Sequence, residues 1–417
     1  MKKLATLDDA LGYTRNFWIL VATWVVFSFG NNMTMVFYPN YIAALGGSEA
    51  LIGMLYALNN AVFVLFQIPG GFLADRVGRK RLVVSMTWLI ALDYAIIALA
   101  PSWQVLMIAA VIDGASRMYV SALHALLYDS IPENRRASAM VLTRALPSLV
   151  AIPAPFIGGI VATTLGEPTL GYRTLFIIAS ILAVSAASLR LYLKETIKPS
   201  EKLELKTFAR SFIDGYRGII DIWRSIPIEL KALLIFIGAL PAMASGIFFP
   251  YLVRVAKIRM GLSDAEWGSV VTLGIALSSA LTLAAAPLLD RIRYHVLISL
   301  GLSSISIGLF AMQFINLSYA PYIALSLIYI GRAIYMSGYA SSIMALTPLH
   351  QRGRVSSLDN VLGFSGYVLG NIIGSILFER LYEKMFLLSI TIDLALAFSI
   401  IVLALYRQKK TFQEPEQ

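Results

Sequence analysis

Gly71-Phe72-Leu73-Ala74-Asp75-Arg76-Val77-Gly78-Arg79-Lys80-Arg81 is a short basic junction between two apolar runs, 50 to 72 and 82 to 100. Gly71 and Gly78 permit a tight turn and close helix contact. Asp75 sits where it can face the positive N-terminal end of a neighbouring helix. Cations clustered between two runs of bilayer length hold a loop on the cytoplasmic side of a membrane.

Outward from this junction, apolar runs and short charged breaks alternate along the whole chain. The runs are 17–44, 50–72, 82–100, 103–128, 138–165 and 172–193, then 229–253, 266–289, 295–315, 320–346, 355–378 and 385–406. These are numbered spans 1 to 12. About 20 residues at ~1.5 Å rise cross the ~30 Å hydrocarbon core. The expectation is an all-α membrane protein of twelve transmembrane helices in two six-helix bundles, 1–193 and 229–417, joined by a hydrophilic linker, 194–228. Within the linker Lys198, Lys202, Lys206 and Arg210 recur every four residues, which suits a helix lying on a surface. The first run is too long for a signal-peptide core and is read as a retained span.

Composition agrees. Of 417 residues 58% are hydrophobic and 14% charged, with a mean hydropathy of +0.74, against roughly 25% charged in soluble domains. A water-soluble globule is excluded, and little chain is left for a catalytic domain. The net charge of +10 lies in clusters between apolar runs, a pattern of membrane topology rather than of nucleic-acid binding. Counting Lys and Arg by side places both termini in the cytoplasm of a cell-membrane protein. Cysteine is absent, which removes disulfides, thiolate catalysis and thiolate metal centres. His124, His295 and His350 are scattered, so no metal site or cofactor is expected. Without G-x-x-x-x-G-K-[ST], H-E-x-x-H or G-x-S-x-G, neither P-loop ATP drive nor enzyme activity is expected.

The halves repeat each other. Asp75-Arg76 recurs as Asp290-Arg291, an offset of 215, while Pro132, Arg136 and Gly158 recur as Pro348, Arg352 and Gly374, an offset of 216. Val36-Phe37-Tyr38-Pro39 recurs as Ile247-Phe248-Phe249-Pro250, an offset of 211. Two such repeats create a midplane cavity around which one half rocks against the other. On span 11, Gly366, Gly370 and Gly374 recur every four residues and form a packing seam.

Charges inside spans are Asp93, Asp113, Arg117, Arg144, Arg332, Asp359 and Asp393. Each costs ~3 kcal/mol or more at mid-bilayer unless paired or facing water. On span 4, Asp113, Arg117, Ser121, His124 and Tyr128 follow steps of four, four, three and four, placing them on one helix face. That stripe can carry protons, with Asp113 as the titrating acid, Arg117 and His124 along its path, and Asp359 as a further candidate. The alternative is a static Asp113–Arg117 pair that locks span 4 into its bundle. Asp93 and Asp393 are expected to pair locally. Polar candidates for a substrate cavity are Asn31, Asn32, Tyr38, Asn60, Arg144, Arg332 and Asn360.

The junction 71–81 resembles the signature loop of the major facilitator superfamily, G-x-L-a-D-R-x-G-R-K. Tyr128-Asp129-Ser130-Ile131-Pro132-Glu133-Asn134-Arg135-Arg136 is similar to a second family segment, D-x-x-P-E-x-R-R. The resemblance implies a cytoplasmic gate made by Gly71, Asp75, Arg76, Gly78, Arg79, Asp129 and Arg136, with Asp75 on the start of span 11 and Arg79 on Asp129. Lys80 and Arg81 serve topology. Ala154-Pro155-Phe156-Ile157-Gly158-Gly159 is similar to the family's G-P-x-x-G-G element, associated with export by antiport, with Ala154 in place of its first Gly. Pro155 can kink the helix while Gly158 and Gly159 admit a close partner. Family members with the usual span 4 pattern carry an Arg where this chain has Ala109.

The reading that follows is a secondary transporter working by alternating access, exporting small amphipathic organic compounds against protons. The alternatives are proton-linked uptake of an organic anion, with Arg117, Arg144 and Arg332 as anion partners, and a non-transporting sensor or scaffold. Expected partners are the small-molecule substrate, protons and the lipid bilayer, with no nucleic acid; a monomer is expected.

Overall fold

The computed structural model describes residues 13–165, 168–201, 204–289, 291–348 and 351–413. Lys2, Lys3, Lys202, Asp290 and His350, with the side chains of Arg407, Lys409 and Lys410, lie outside the described residues. The described chain is helical throughout, without strands. Twelve helices are long and apolar enough to cross a membrane: Arg15–Met35, Glu49–Val77, Arg79–Ala98, Trp103–Asp129, Ser138–Thr164, Thr169–Arg190, Ile228–Met260, Asp264–Ala285, Tyr294–Phe314, Ala320–Leu346, Arg352–Lys384 and Leu387–Ala404. They take the span numbers given above. Local chemistry sets several starts. Thr14 and Ser48 cap spans 1 and 2, their hydroxyls accepting from the Phe17 and Leu51 amides.

Four spans are interrupted. Span 1 ends at Met35 and its continuation, Tyr38–Ala44, begins with Pro39 in its first turn. Span 4 tightens into a 3-10 turn at Arg117–Tyr119. Span 7 contains a π-helical segment, Leu233–Ala239, and a 3-10 turn, Phe249–Tyr251, around Pro250. Span 5 breaks between Ala151 and Ala154. The kink expected at Pro155 therefore lies at Pro153: Pro155 falls in the first turn of the second segment, where its missing N–H costs no helical bond.

The chain divides into two compact units, Met1–Asp221 and Ile222–Gln417. One contact appears in both. A Cβ on Gly158 would collide with the Met33 carbonyl and lie 3.0 Å from the Phe37 ring, where span 1 breaks. A Cβ on Gly374 would lie 2.6 Å from the Ile247 carbonyl, just before the break in span 7. The expected span 11 seam is this contact repeated, with Gly366, Gly370 and Gly374 seated on Ala239, Met243 and Ile247.

The linker forms a helix, Leu205–Ser225, that packs on span 2. Phe66 meets the rings of Phe208 and Phe212 at 6.1 and 6.4 Å. The Tyr216 hydroxyl donates to the Leu65 carbonyl at 3.1 Å, and burial holds that phenol above its ordinary pKa. Lys206 and Arg210 stay on the exposed side.

Candidate functional site

Span 4 is drawn against span 2 where its side chains are smallest. A Cβ on Gly114 would lie 2.6 Å from the Asn59 carbonyl, so only glycine permits this approach. The proximity places the Asn59 amide beside Asp113. Its Nδ2 donates to Asp113 Oδ2 at 2.8 Å and to the Ala110 carbonyl at 3.0 Å. Arg117, one turn later, donates through Nε to the same Oδ2 at 2.9 Å. The second oxygen, Oδ1, is buried and has no hydrogen-bond partner among the described residues. Asp113 is thus a buried carboxyl with one oxygen held by a cation and an amide and the other unpartnered.

Beside it lies Asp93 of span 3. Its residue exposure is 0% and neither carboxyl oxygen has a hydrogen-bond partner among the described residues. Its charged neighbours are Asp113 and Arg117. The local pairing expected for Asp93 is not made, because the Arg117 guanidinium is already taken by Asp113. Asp393, on span 12, likewise leaves Oδ1 unpartnered and buried.

The polar stripe on span 4 is not straight. The 3-10 turn at Arg117–Tyr119 rotates each residue further about the axis than an α-helix does, so the spacing that put Ser121 and His124 on one face with Asp113 no longer holds beyond it. His124 is exposed, with its ring edge-on to Trp24 at 5.8 Å. No hydrogen bond joins it to Arg117 among the described residues.

Other candidates are placed as follows. Asn31 Oδ1 accepts from the Tyr94 hydroxyl at 3.3 Å. Asn32 turns inward, its Nδ2 donating to the Ser28 carbonyl of its own helix. Tyr38 is buried between the rings of Tyr56 and Phe176. Asn60 is half-buried and Arg144 exposed. In the second unit, Tyr339 donates to Asp359 Oδ1, and Arg332 donates to the Tyr367 hydroxyl at 3.3 Å while lying over the Phe249 ring. Asn360 is half-buried beside Asp359 in sequence.

The junction 71–81 is gripped from within its own unit. Gly78 has φ +103°, a conformation that favours glycine, and breaks span 2 from span 3. Arg79 pairs with Asp129 and, at 3.3 Å, with Asp75 four residues back. Arg76 donates to Asp214 at 2.6 Å and to Ser211 at 2.9 Å on the linker helix. The Glu195 carboxylate accepts from the Arg79 and Lys80 amides at 3.2 and 3.0 Å and caps span 3. Arg136 stands apart, in an exposed pair with Glu133 at 3.1 Å.

Sequence reasoning passed over Glu195, Asp214 and Arg190. Arg190 is 1% exposed, with Nη1 and Nε donating to Thr87 and Thr23 and its guanidinium over the Tyr119 ring at 5.3 Å. Its place at the tail of span 6 reads as an interfacial cation; only the two threonines on neighbouring spans could have flagged it.

The Major Facilitator Superfamily model matches residues 20–371. The chain belongs to that superfamily. Members of the superfamily are transporters and not enzymes. Within it, this chain is 32% identical to the inner membrane transport protein YajR of Escherichia coli strain K12 over 178 residues, 41% of this chain and 38% of YajR. It is 28% identical to the multidrug resistance protein MdtL of Shewanella sp. strain ANA-3 over 145 residues, 34% of this chain and 36% of MdtL. These alignments therefore span less than half of either relative. The fold matches that of the human organic anion transporter MFSD10 (TETRAN) with a TM-score of 0.66, 16% identity and coverage of 93% of this chain and 99% of that one.

Proposed function

We propose that this chain is a secondary transporter that works by alternating access in the cell membrane, with both termini cytoplasmic, and exports small amphipathic organic compounds in exchange for protons. The observation that carries the coupling is the one-sided hold on Asp113: Arg117 and Asn59 engage Oδ2, while Oδ1 is buried without a hydrogen-bond partner among the described residues. A proton arriving at Oδ1 removes the negative charge, weakens the ion pair and releases the guanidinium. Loss of that proton restores the pair. Asp93 deepens the switch, since two acids and one arginine share the site and a second ionised carboxylate there would be unpaired and buried. The likeness to a multidrug resistance protein and the Pro155, Gly158 and Gly159 element support export.

The decisive experiment uses the purified chain in proteoliposomes under an imposed pH difference, with substrates first found by thermal-shift screening of a compound library, since a ligand of the native state raises stability. Accumulation that follows the pH difference supports the reading; flux indifferent to pH overturns it. A second reading, uptake of an organic anion, is favoured by Arg144, which has no partner among the described residues, and by Arg332, whose only hydrogen-bond partner there is a neutral phenol. Anion affinity that collapses in Arg144→Gln or Arg332→Gln selects it. A sensor or scaffold shows no flux at all.

A further inference from the structure

The second unit contains a groove of about 1130 Å³ that the transport reading does not use. Its walls are the first turns of span 7, the start of span 9, Leu346 at the end of span 10 and span 12 from Thr391 to Ala404. All these segments end at one membrane face, because odd-numbered spans start where even-numbered ones finish. The floor is a core cluster around Ile298, backed by Leu233, Ile237, Leu396 and Ile400. The rim is open, with Phe236, Ile228 and Leu403 at 55, 70 and 61% exposure.

Three features fix what the groove accepts. First, its interior asks for no hydrogen bond. The Thr391 and Ser399 hydroxyls donate to carbonyls of their own helix at 2.8 and 2.7 Å. The Ile237 carbonyl, in the π-helical segment of span 7, is taken by the Tyr335 hydroxyl. That carbonyl is thereby satisfied, as contact with hydrocarbon requires. Second, the lined stretch of span 12 runs from Ala404 back to Thr391, ~20 Å at ~1.5 Å per residue, enough to accompany acyl chains through one leaflet of a ~30 Å core. Third, the polar groups gather at the membrane-face end, where Glu229, Arg293 and His295 line the same cavity. Glu229 and Arg293 have no ion-pair partner among the described residues, and they do not pair with each other.

From these we infer that the groove holds one diacyl glycerophospholipid with a phosphoethanolamine headgroup. The phosphate lies on Arg293 and His295, the primary ammonium on Glu229, and the acyl chains run along span 12. Opposite charges that share a cavity without joining are complementary to a zwitterion. The carboxylate of Glu229 accepts hydrogen bonds that a primary ammonium gives and a trimethylammonium cannot. A phosphoglycerol headgroup would leave Glu229 facing no cation. This inference stands whether or not the chain couples transport to protons.

The test titrates the delipidated full chain, in detergent, with phosphatidylethanolamine, phosphatidylcholine and phosphatidylglycerol bearing identical acyl chains, reading occupancy by native mass spectrometry. We expect one phosphatidylethanolamine bound about tenfold tighter than phosphatidylglycerol, as a charge-assisted hydrogen bond implies, with phosphatidylcholine between them. Glu229→Gln should erase the preference among headgroups, and Arg293→Gln should weaken all three. Ala395→Trp, which fills the groove, should abolish one-to-one binding. Glu229 and Arg293 are exposed, so their variants should keep the melting temperature of the lipid-free protein, and that measurement separates loss of binding from loss of fold. Equal binding of phosphatidylethanolamine and phosphatidylglycerol, a headgroup preference that survives Glu229→Gln, or one-to-one binding that survives Ala395→Trp would each overturn the proposal.

Discussion

Asp113 and Asp359 are acids of span 4 and span 11, one in each unit, and they are held in different ways. Asp113 takes a guanidinium and an amide on one oxygen, whereas Asp359 takes the phenol of Tyr339. A cation stabilises only the ionised carboxylate, while a phenol hydrogen bond is compatible with either protonation state. On the proposed mechanism the charge-sensitive switch therefore belongs to the first unit, while the Asp359–Tyr339 hydrogen bond anchors the second. The Gly158 contact of span 5 on span 1 and the Gly374 contact of span 11 on span 7 are alike, but the two acids sit on non-equivalent spans, so the difference lies in which span carries the acid as well as in its partners.

The largest effect is expected from Asp113→Asn. The amide keeps the shape and can still accept from Arg117 and Asn59, but it cannot titrate. Accumulation driven by a pH difference should fall about tenfold or more, with substrate binding retained. The matching change, Asp359→Asn, preserves an acceptor for Tyr339 and should cost no more than a neutral hydrogen bond, ~0.5 to 1.5 kcal/mol by thermal unfolding. Equal loss of transport in both variants would break the asymmetry. A wild-type level of pH-driven accumulation in Asp113→Asn would remove that residue from the mechanism.

The shared scaffold is tested by Gly158→Ala and Gly374→Ala. Each places a methyl group against a carbonyl of the facing span and should destabilise by ~1 to 3 kcal/mol. Similar losses sharpen the claim that the contact is one device used twice; a cost at only one of the two would contradict it. The junctions differ. Span 3 is capped by Glu195, whereas span 9, preceded by Arg293, has no side-chain cap among the described residues. Glu195→Ala should cost ~0.5 to 2 kcal/mol, in the range of other helix caps, and raise amide exchange at Arg79 and Lys80. Arg136→Ala should have the smallest effect, ~0 to 1 kcal/mol, because its pair is exposed on both sides. A larger loss of transport there would restore Arg136 to the gate.

The twelve spans were legible because crossing hydrocarbon is a requirement on composition and length, which a sequence displays directly. The Asp113–Arg117 pair was legible for a related reason: a four-residue step on one helix settles proximity without tertiary information. The 3-10 turn at Arg117–Tyr119 was not, since no Gly or Pro marks it; it lies where Gly70 of span 2 presses on the Met118 carbonyl. The same limit explains Asp93, whose expected partner depended on what spans 4 and 6 bring to span 3. It explains the break in span 5 as well, where three prolines, Pro147, Pro153 and Pro155, compete and only packing decides which one interrupts the helix. Of the four-residue charge spacing only Lys206 and Arg210 fall in the linker helix, Lys198 preceding it and Lys202 lying outside the described residues, and the face that docks carries Phe208, Phe212 and Asp214, whose partners lie far away in sequence.

The cap on span 3 also has a history in time. Glu195 follows Arg79 by 116 residues, so a ribosome adding ~5 to 20 residues per second delivers it ~6 to 23 s after the helix it caps. Throughout that interval the Arg79 and Lys80 amides must be satisfied by water or lipid headgroups at the membrane surface. The basic junction is thus held first by water and headgroups at the membrane surface and is fastened by hydrogen bonds only when the sixth span has been made. The order of synthesis, and not the strength of any one contact, decides when the first unit becomes a finished body.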